Sequence, residues 1–394
     1  MNILFLMKVF EVGGQEVVTQ TLAECFVAHG HNVGIACFNK PNPVMKARCD
    51  KRIHFHTLRD FRYSAENVKM LRSILMENDI NIVINQWGLP YIPAKVLAKA
   101  KIGLNIKTIA IYHNSPDTNA RIKEVEIALE EAYNPVKRIL LYCKQALFKF
   151  VTSRSMRYVY YHSDLYMVLS TSFVEKFKTF TGIRDPKHLV VQTNPVTINT
   201  SGYVYSQDNK QKELIYMGRI DYNQKRVVRV IDTWGLLEQQ FPDWHLTIVG
   251  DGPERANVER HAQELRLKHV HFDGFQKPRP YYERASVLVL TSEYEGFPLV
   301  LAECMSFGVV PVVYGSYSAV YDIIKPKENG MIVQSKNDKF DVHEMAKQLT
   351  FVMENEQIRN RMAQNAMLTS KRDYSLESIY QSWEKIMDGL MEQK

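Results

Sequence analysis

Short apolar strands alternate with amphipathic helices from one end of this chain to the other, and that grammar leaves few folds open. Strand-like runs stand at Ile3–Met7, Val33–Phe38, Ile53–Thr57, Ile82–Asn85, Thr108–Tyr112, Leu165–Leu169 and Leu189–Gln192. Helical periodicity fills the gaps, as in Val18–Val27 and Ala65–Met76. The second half repeats the pattern at Glu213–Met217, His245–Val249, Val270–Phe272, Val287–Leu290, Val309–Val313 and Met331–Val333. Such alternation is the pattern of parallel α/β sheets. With 394 residues the chain is too long for one core and suits two domains. The polar segment from Val196 to Lys212 has no apolar period and reads as the linker. The expected division is a first domain over 1–197, a second over 198–373, and an amphipathic terminal segment over 374–394.

Net charge is +7, unevenly spread. Residues 1–200 hold 26 Lys and Arg against 16 Asp and Glu, whereas the remainder is slightly acidic. A basic front half points to an anionic partner or to a solvated surface, and charge alone does not choose. The five cysteines are scattered and never form a C-x-x-C pair, which argues against a disulfide framework and a zinc site. The opening apolar run before Lys8 is far too short for a signal core or a membrane span. The expectation is a cytoplasmic chain whose membrane contact, at the inner face, is peripheral.

Residues 134–163 differ from the rest. They hold Lys137, Arg138, Lys144, Lys149, Arg154 and Arg157 and no acid, with aromatic and aliphatic residues interleaved. This reads as a basic amphipathic helix pair. Two readings stay open: a face that lies among anionic headgroups, or a helix packed on its own domain with its lysines in water.

The chemistry-bearing loops come after strands. The first strand runs into Gly13-Gly14 and a helix start, whose bare N–H groups suit an anion; it is not the G-x-G-x-x-G fingerprint. In the second half, Gly218-Arg219 and then Lys225 put cations at a strand end and the next helix start. Gly250-Asp251-Gly252-Pro253 ends the following strand, with a helix read as starting at the proline. Phe275 comes after the next strand, where backbone could edge a flat base. Glu295-Gly296-Phe297-Pro298-Leu299 then leads into a helix, read as starting near Pro298, that carries Glu303. Flanked by Val300, Leu301, Ala302 and Met305, Glu303 stands in a half-buried stretch where an unpaired carboxylate is costly.

In this order, the paired glycines, Gly218-Arg219 with Lys225, Gly250-Asp251-Gly252-Pro253 and the Glu295-x7-Glu303 element resemble the retaining glycosyltransferases of family 4. The resemblance is sharpest from Glu213 to Gly330. It implies the GT-B fold: α/β, two Rossmann-like parallel-sheet domains facing across a cleft, with a C-terminal helix crossing back to the first. It implies that Arg219 and Lys225 hold a diphosphate and that Glu303 binds the nucleotide ribose. Glu295 and the backbone of Gly296, Phe297, Pro298 and Leu299 would hold the donor sugar and phosphate, with Gly13, Gly14, Gly250, Gly252, Phe275 and Asn194 lining the donor. His113 matches the family's first-domain histidine near the donor sugar. Two departures concern substrate identity: Thr193-Asn194-Pro195-Val196 at the boundary, where only Asn194 fits, and Gln15 in place of a small residue.

The expected reaction is metal-independent, retaining transfer of a hexose from a UDP- or GDP-linked donor to a glycan or lipid-linked acceptor in envelope polysaccharide synthesis. No cofactor and no nucleic-acid partner is expected. Glu295, His113, Arg219 and Lys225 are the expected catalytic set. The rivals are a non-hydrolysing nucleotide-sugar epimerase of the same fold and a non-catalytic nucleotide-sugar-binding subunit.

Overall fold

The computed structural model describes residues 1–334 and 339–392. The chain forms two compact units, one of Met1–Thr197 with Leu376–Lys394 and one of Ile198–Ser375.

The first unit is built on seven parallel strands, β1 (Asn2–Met7), β2 (Asn32–Cys37), β3 (His54–Thr57), β4 (Ile82–Asn85), β5 (Lys107–Tyr112), β6 (Leu165–Val168) and β7 (Leu189–Val191), in the order β3-β2-β1-β4-β5-β6-β7. β1 is paired on both sides, Ile3 opposite Val33 and Ile82. Its residues Ile3 to Met7 are wholly buried, which is why the strand shows no alternation of polar and apolar residues. Leu4, Leu6, Phe38, Leu71, Leu75 and Val83 knit one face of the sheet to the helix Ala65–Glu77. Burying each such side chain contributes about 1.5–3 kcal/mol.

The terminal helix Leu376–Glu392 belongs to this unit. Its buried stripe of Ile379, Tyr380, Trp383, Met387 and Leu390 has helical spacing. Trp383 and Tyr380 meet Phe26 of the helix Gly14–Ala28 at ring distances of 5.8 and 6.1 Å. Ser382 donates to Gln192 at 2.6 Å.

Residues 134–163 depart from the sequence reading. They form one helix, Pro135–Tyr161, of 27 residues, not a pair. Asn134 caps it by accepting from the Val136 and Lys137 N–H groups, and Pro135 fills the first turn. No glycine or further proline breaks the helix between Val136 and Tyr161.

The second unit has six parallel strands, β8 (Glu213–Met217), β9 (His245–Val249), β10 (Val270–Gly274), β11 (Val287–Leu290), β12 (Val310–Tyr314) and β13 (Met331–Val333), in the order β10-β9-β8-β11-β12-β13. β8 pairs with β9 along its length and with β11 through Leu214 and Ile215. The segment read as a linker is a strap on this unit: Tyr203 and Tyr205 donate to Phe307 O at 2.9 Å and to Asn360 Oδ1 at 2.8 Å. Tyr374, read as the start of the terminal segment, packs edge-on against Phe297 at 5.3 Å, and the helix begins at Leu376. Two proline readings also shift. The helix after β9 is Arg255–Glu264, so Pro253 lies in the turn before it, and Pro298 is the cap of Leu299–Ser306 rather than its first residue.

Candidate functional site

In an open parallel sheet, the crevice for a ligand lies at the carboxyl ends of the strands where the winding reverses. In the second unit that point falls between β8 and β11, because the chain runs outward through β9 and β10 and then returns to β11. The loops after these two strands carry Arg219, Lys225, Glu295 and the Gly-Phe-Pro turn.

The β8 loop is held in shape from within. Asp221 Oδ1 accepts from the N–H groups of Gln224 at 2.7 Å and Lys225 at 3.2 Å. Arg226 has φ of 52°, a left-handed conformation uncommon for a residue with a side chain. Thr291 Oγ1 lies 3.2 Å from the carbonyls of both Lys225 and Arg226, and Glu293 N–H donates to Gln224 O at 2.7 Å. The strained turn is thus tied directly to the loop after β11.

The outcome is a buried ion pair. Lys225 Nζ lies 2.5 Å from Glu295 Oε1, with side chains 14% and 8% exposed. Gln224 Nε2 donates to the other oxygen, Glu295 Oε2, at 3.1 Å. Both carboxylate oxygens are therefore engaged by protein, while a carboxylate can accept about four hydrogen bonds and keeps capacity for more. Arg219, on the same loop, is 71% exposed and 3.8 Å from Asp221. Among the described residues, Ser292 Oγ, Tyr317 OH and Ser318 Oγ are buried and have no hydrogen-bond partner. Each is a polar group that a ligand could satisfy.

Glu303 sits on the second turn of Leu299–Ser306, buried, with Tyr282 OH 3.5 Å from its Oε2. Burial and the nearby Glu303 carboxylate both push the Tyr282 hydroxyl well above its ordinary range. Phe297 is buried, so its side chain belongs to the core; Phe275 is 73% exposed.

Gly250 and Gly252 have a structural reason to be glycine. A Cβ at 250 would run into Gly218 O and one at 252 into Ile220 O, so the β8 and β9 loops touch backbone to backbone. Gly218 and Gly250 also have φ of 150° and 145°.

In the first unit the winding reverses between β1 and β4. The loops there gather Gly13, Gly14, Gln15 and Gln86, and the end of β5 adds His113. Gln15 Nε2 donates to Gln86 O at 2.7 Å, and His113 Nε2 lies 2.5 Å from Gln86 Oε1. Desolvation pushes His113 down to about 4, so its ring is neutral at neutral pH. Gln86 Nε2 is buried without a partner among the described residues.

The glycine pair does not serve a left-handed turn. Gly13 caps the helix Gly14–Ala28 in an extended conformation, φ −169°, that any residue adopts. The missing side chain makes room for the Glu16 carboxylate, which folds back over Gly13. Burial pushes Glu16 up to about 7. Asn194, three residues past β7, is buried.

Two family models match in succession, Glycosyltransferase Family 4 over residues 12–199 and Glycosyl transferases group 1 over residues 204–369. The chain is a family 4 glycosyltransferase of the GT-B fold.

An uncharacterised glycosyltransferase of Haemophilus influenzae is 26% identical to it over 97% of this chain and 98% of that one. A Campylobacter jejuni α-1,4-N-acetyl-D-galactosaminyltransferase, named for a GalNAc-bearing diNAcBac-PP-undecaprenol, is 24% identical over 98% of each chain. Among solved structures, HepE of Anabaena, in complex with UDP and glucose, matches with a TM-score of 0.73 and 16% identity over 99% of this chain and all of that one. That identity speaks for the fold alone.

For this glycosyltransferase, the sequence reading singled out Lys225, Glu295, Glu303 and His113 but not Gln224 and Gln86, which bond to Glu295 and His113. Gln86 is an amide in a loop with no motif around it, and Gln224 stands beside Lys225 at a position the motif does not single out. Glu16 did carry a signal, an acid at the third helical position after a capping residue, where a carboxylate can reach back to the helix start.

Proposed function

We infer that this glycosyltransferase moves a hexose from a nucleotide diphosphate sugar to a hydroxyl of a glycan or lipid-linked acceptor, with retention and without a metal ion. The reading places it in envelope polysaccharide synthesis, in line with the lipid-linked substrate named for the Campylobacter jejuni relative. The observation that carries it is the Lys225–Glu295 pair, buried at the switch point of the second sheet with Arg219 on the same loop.

A departing diphosphate gains charge as the glycosidic bond breaks, and fixed cations and N–H groups stabilise it more than the ground state. Lys225 has three donors and spends one on Glu295, leaving two for phosphate oxygens. Arg219 adds a charged fork at the rim, and Pro298 caps its helix with no side chain bonding to the first N–H groups, which leaves them to a ligand. Glu295 orients Lys225 and offers its remaining lone pairs to sugar hydroxyls. Glu303 accepts from the ribose diol. In the first unit, the neutral His113 ring and Gln86 amide make a hydrogen-bonding pair suited to sugar hydroxyls. The acceptor hydroxyl attacks from the face that the diphosphate leaves, and a phosphate oxygen takes its proton.

The test is a thermal-shift screen of UDP-, GDP- and ADP-hexoses in excess EDTA, with NMR of the anomeric configuration of the product. The expected result is stabilisation by one donor class and an axial product from an axial donor. Stabilisation by none of them overturns the reading, inverted product overturns retention, and activity that EDTA abolishes and Mg²⁺ or Mn²⁺ restores overturns metal independence.

A further inference from the structure

The helix Pro135–Tyr161 has two faces of opposite fate. Leu141, Gln145, Phe148, Thr152, Met156 and Val159 lie along one helical line and turn inward. Thr152 and Gln145 there bond to Asn119 and Glu126 at 3.1 and 3.2 Å. A second line, Val136, Leu140, Cys143, Leu147 and Phe150, with Val151 beside it, has the same spacing of three and four and is exposed, Leu140 by 65% and Phe150 by 63%. An apolar stripe this long on a water-facing helix marks a contact surface.

Charge decides what covers it. Lys137 and Lys144 flank the stripe and Arg154 continues it; all three are exposed, and the helix carries no acid. Glu126 of the preceding helix stands on the inner side, within reach of Lys123 at 2.9 Å and Lys149 at 3.8 Å. Helices that pair through such a stripe set opposite charges along its flanks. Two copies of this one would bring cations against cations. Nor does it span a bilayer: no helix among the described residues is long and apolar enough to do so.

We propose that the outer face of Pro135–Tyr161 lies flat in the headgroup region of an anionic bilayer, with Leu140, Leu147 and Phe150 entering the acyl boundary and Lys137, Lys144 and Arg154 at the phosphates. The inference is independent of the donor reading, because it concerns a surface that binds lipid with no sugar present.

Cys143 lies on the stripe, and Cys25, Cys37, Cys49 and Cys304 are buried, so a polarity-sensitive thiol dye reports from the contact itself. The labelled full chain is mixed with vesicles of phosphatidylcholine alone or with one-third phosphatidylglycerol, without donor or acceptor. Unlabelled protein is tracked in parallel by co-sedimentation. Blue-shifted emission and binding at least tenfold tighter to the anionic vesicles are expected, weakening as salt is raised. Leu140→Glu with Leu147→Glu abolishes both signals. Neutralising Lys137, Lys144 and Arg154 to Gln weakens binding by on the order of a hundredfold, at roughly fivefold per cation. These positions are exposed, so the circular-dichroism melt of each variant stays at the wild-type midpoint. Equal binding to neutral vesicles, no binding to either, or a dimer in ultracentrifugation that Leu140→Glu dissolves would each overturn the proposal.

Discussion

The two units share a topology, and each puts its polar residues where the winding of the sheet reverses, yet the two sets are chemically unlike. In the second unit the point is ionic: a buried lysine on a buried glutamate, with an arginine at the rim. In the first it is close to neutral: an imidazole held uncharged beside an amide, and a glutamate whose burial favours its protonated form. One fold thus carries an ionic crevice or a nearly neutral one, depending on a few loop residues. The glycines differ in the same way. Gly250 is enforced by neighbouring backbone, Gly13 by the end of one flexible side chain.

The sharpest way to break this comparison is Lys225→Ala. It leaves Glu295 buried without its cation, which costs about 3–5 kcal/mol, and under the proposed function it removes a donor from the leaving diphosphate. A fall in kcat/KM of on the order of a hundredfold or more is expected, together with a lower unfolding midpoint. Adding Glu295→Gln should recover the midpoint but not the transfer, and a double-mutant cycle separates the two effects. Near-normal transfer by Lys225→Ala would end the role assigned to the ion pair.

Gly250→Ala comes next. Backbone cannot step aside for the new Cβ, so the β8 loop must move, and about 2–4 kcal/mol of stability in chemical denaturation should be lost. Donor affinity, read by titration calorimetry, should fall with it. An unchanged denaturation midpoint would show that the two loops do not constrain each other.

Glu16→Gln tests the neutral character of the first unit. The native carboxyl holds its proton up to about 7, whereas its ordinary value is 4.5. Between these values the folded chain keeps a proton that the unfolded chain releases. The extra stability is therefore fully present below pH 4.5 and is lost as pH rises through 7. The glutamine variant should lack this slope and be more stable at pH 8 by on the order of 1–3 kcal/mol, as urea titrations across the range would record. Parallel slopes for the two proteins would mean that Glu16 titrates normally. The smallest effect is expected from Gly13→Ala, about 1 kcal/mol or less, because the Glu16 carboxylate can swing away. A loss as large as that of Gly250→Ala, measured in the same denaturant, would erase the distinction between the two glycines.

Much of the scaffold was legible in the sequence. The strands were readable because buried parallel strands are near-continuous runs of β-branched and aliphatic residues, as in Val287–Leu290, and because helices such as Ala65–Glu77 carry a local apolar period. The basic stretch was legible as amphipathic, but its division into two helices was misread, since nothing in Pro135–Tyr161 breaks it. The strap around Tyr203 and Tyr205 was misread for the opposite reason: it has no period, and its order comes from contacts with Phe307 and Asn360 far along the chain. Gln86 was invisible, for an amide in a loop has no signature until His113 is brought to it.

What the sequence determined by itself was the order of strands and helices and the loops in which cations, acids and glycines occur, because these depend on residues within a turn or two of one another. Only the tertiary structure decided that Lys225 and Glu295, 70 positions apart, share one bond, and that Glu16 is buried while Leu140 is exposed. Strand order makes distant loops neighbours, and burial depends on what the rest of the chain covers.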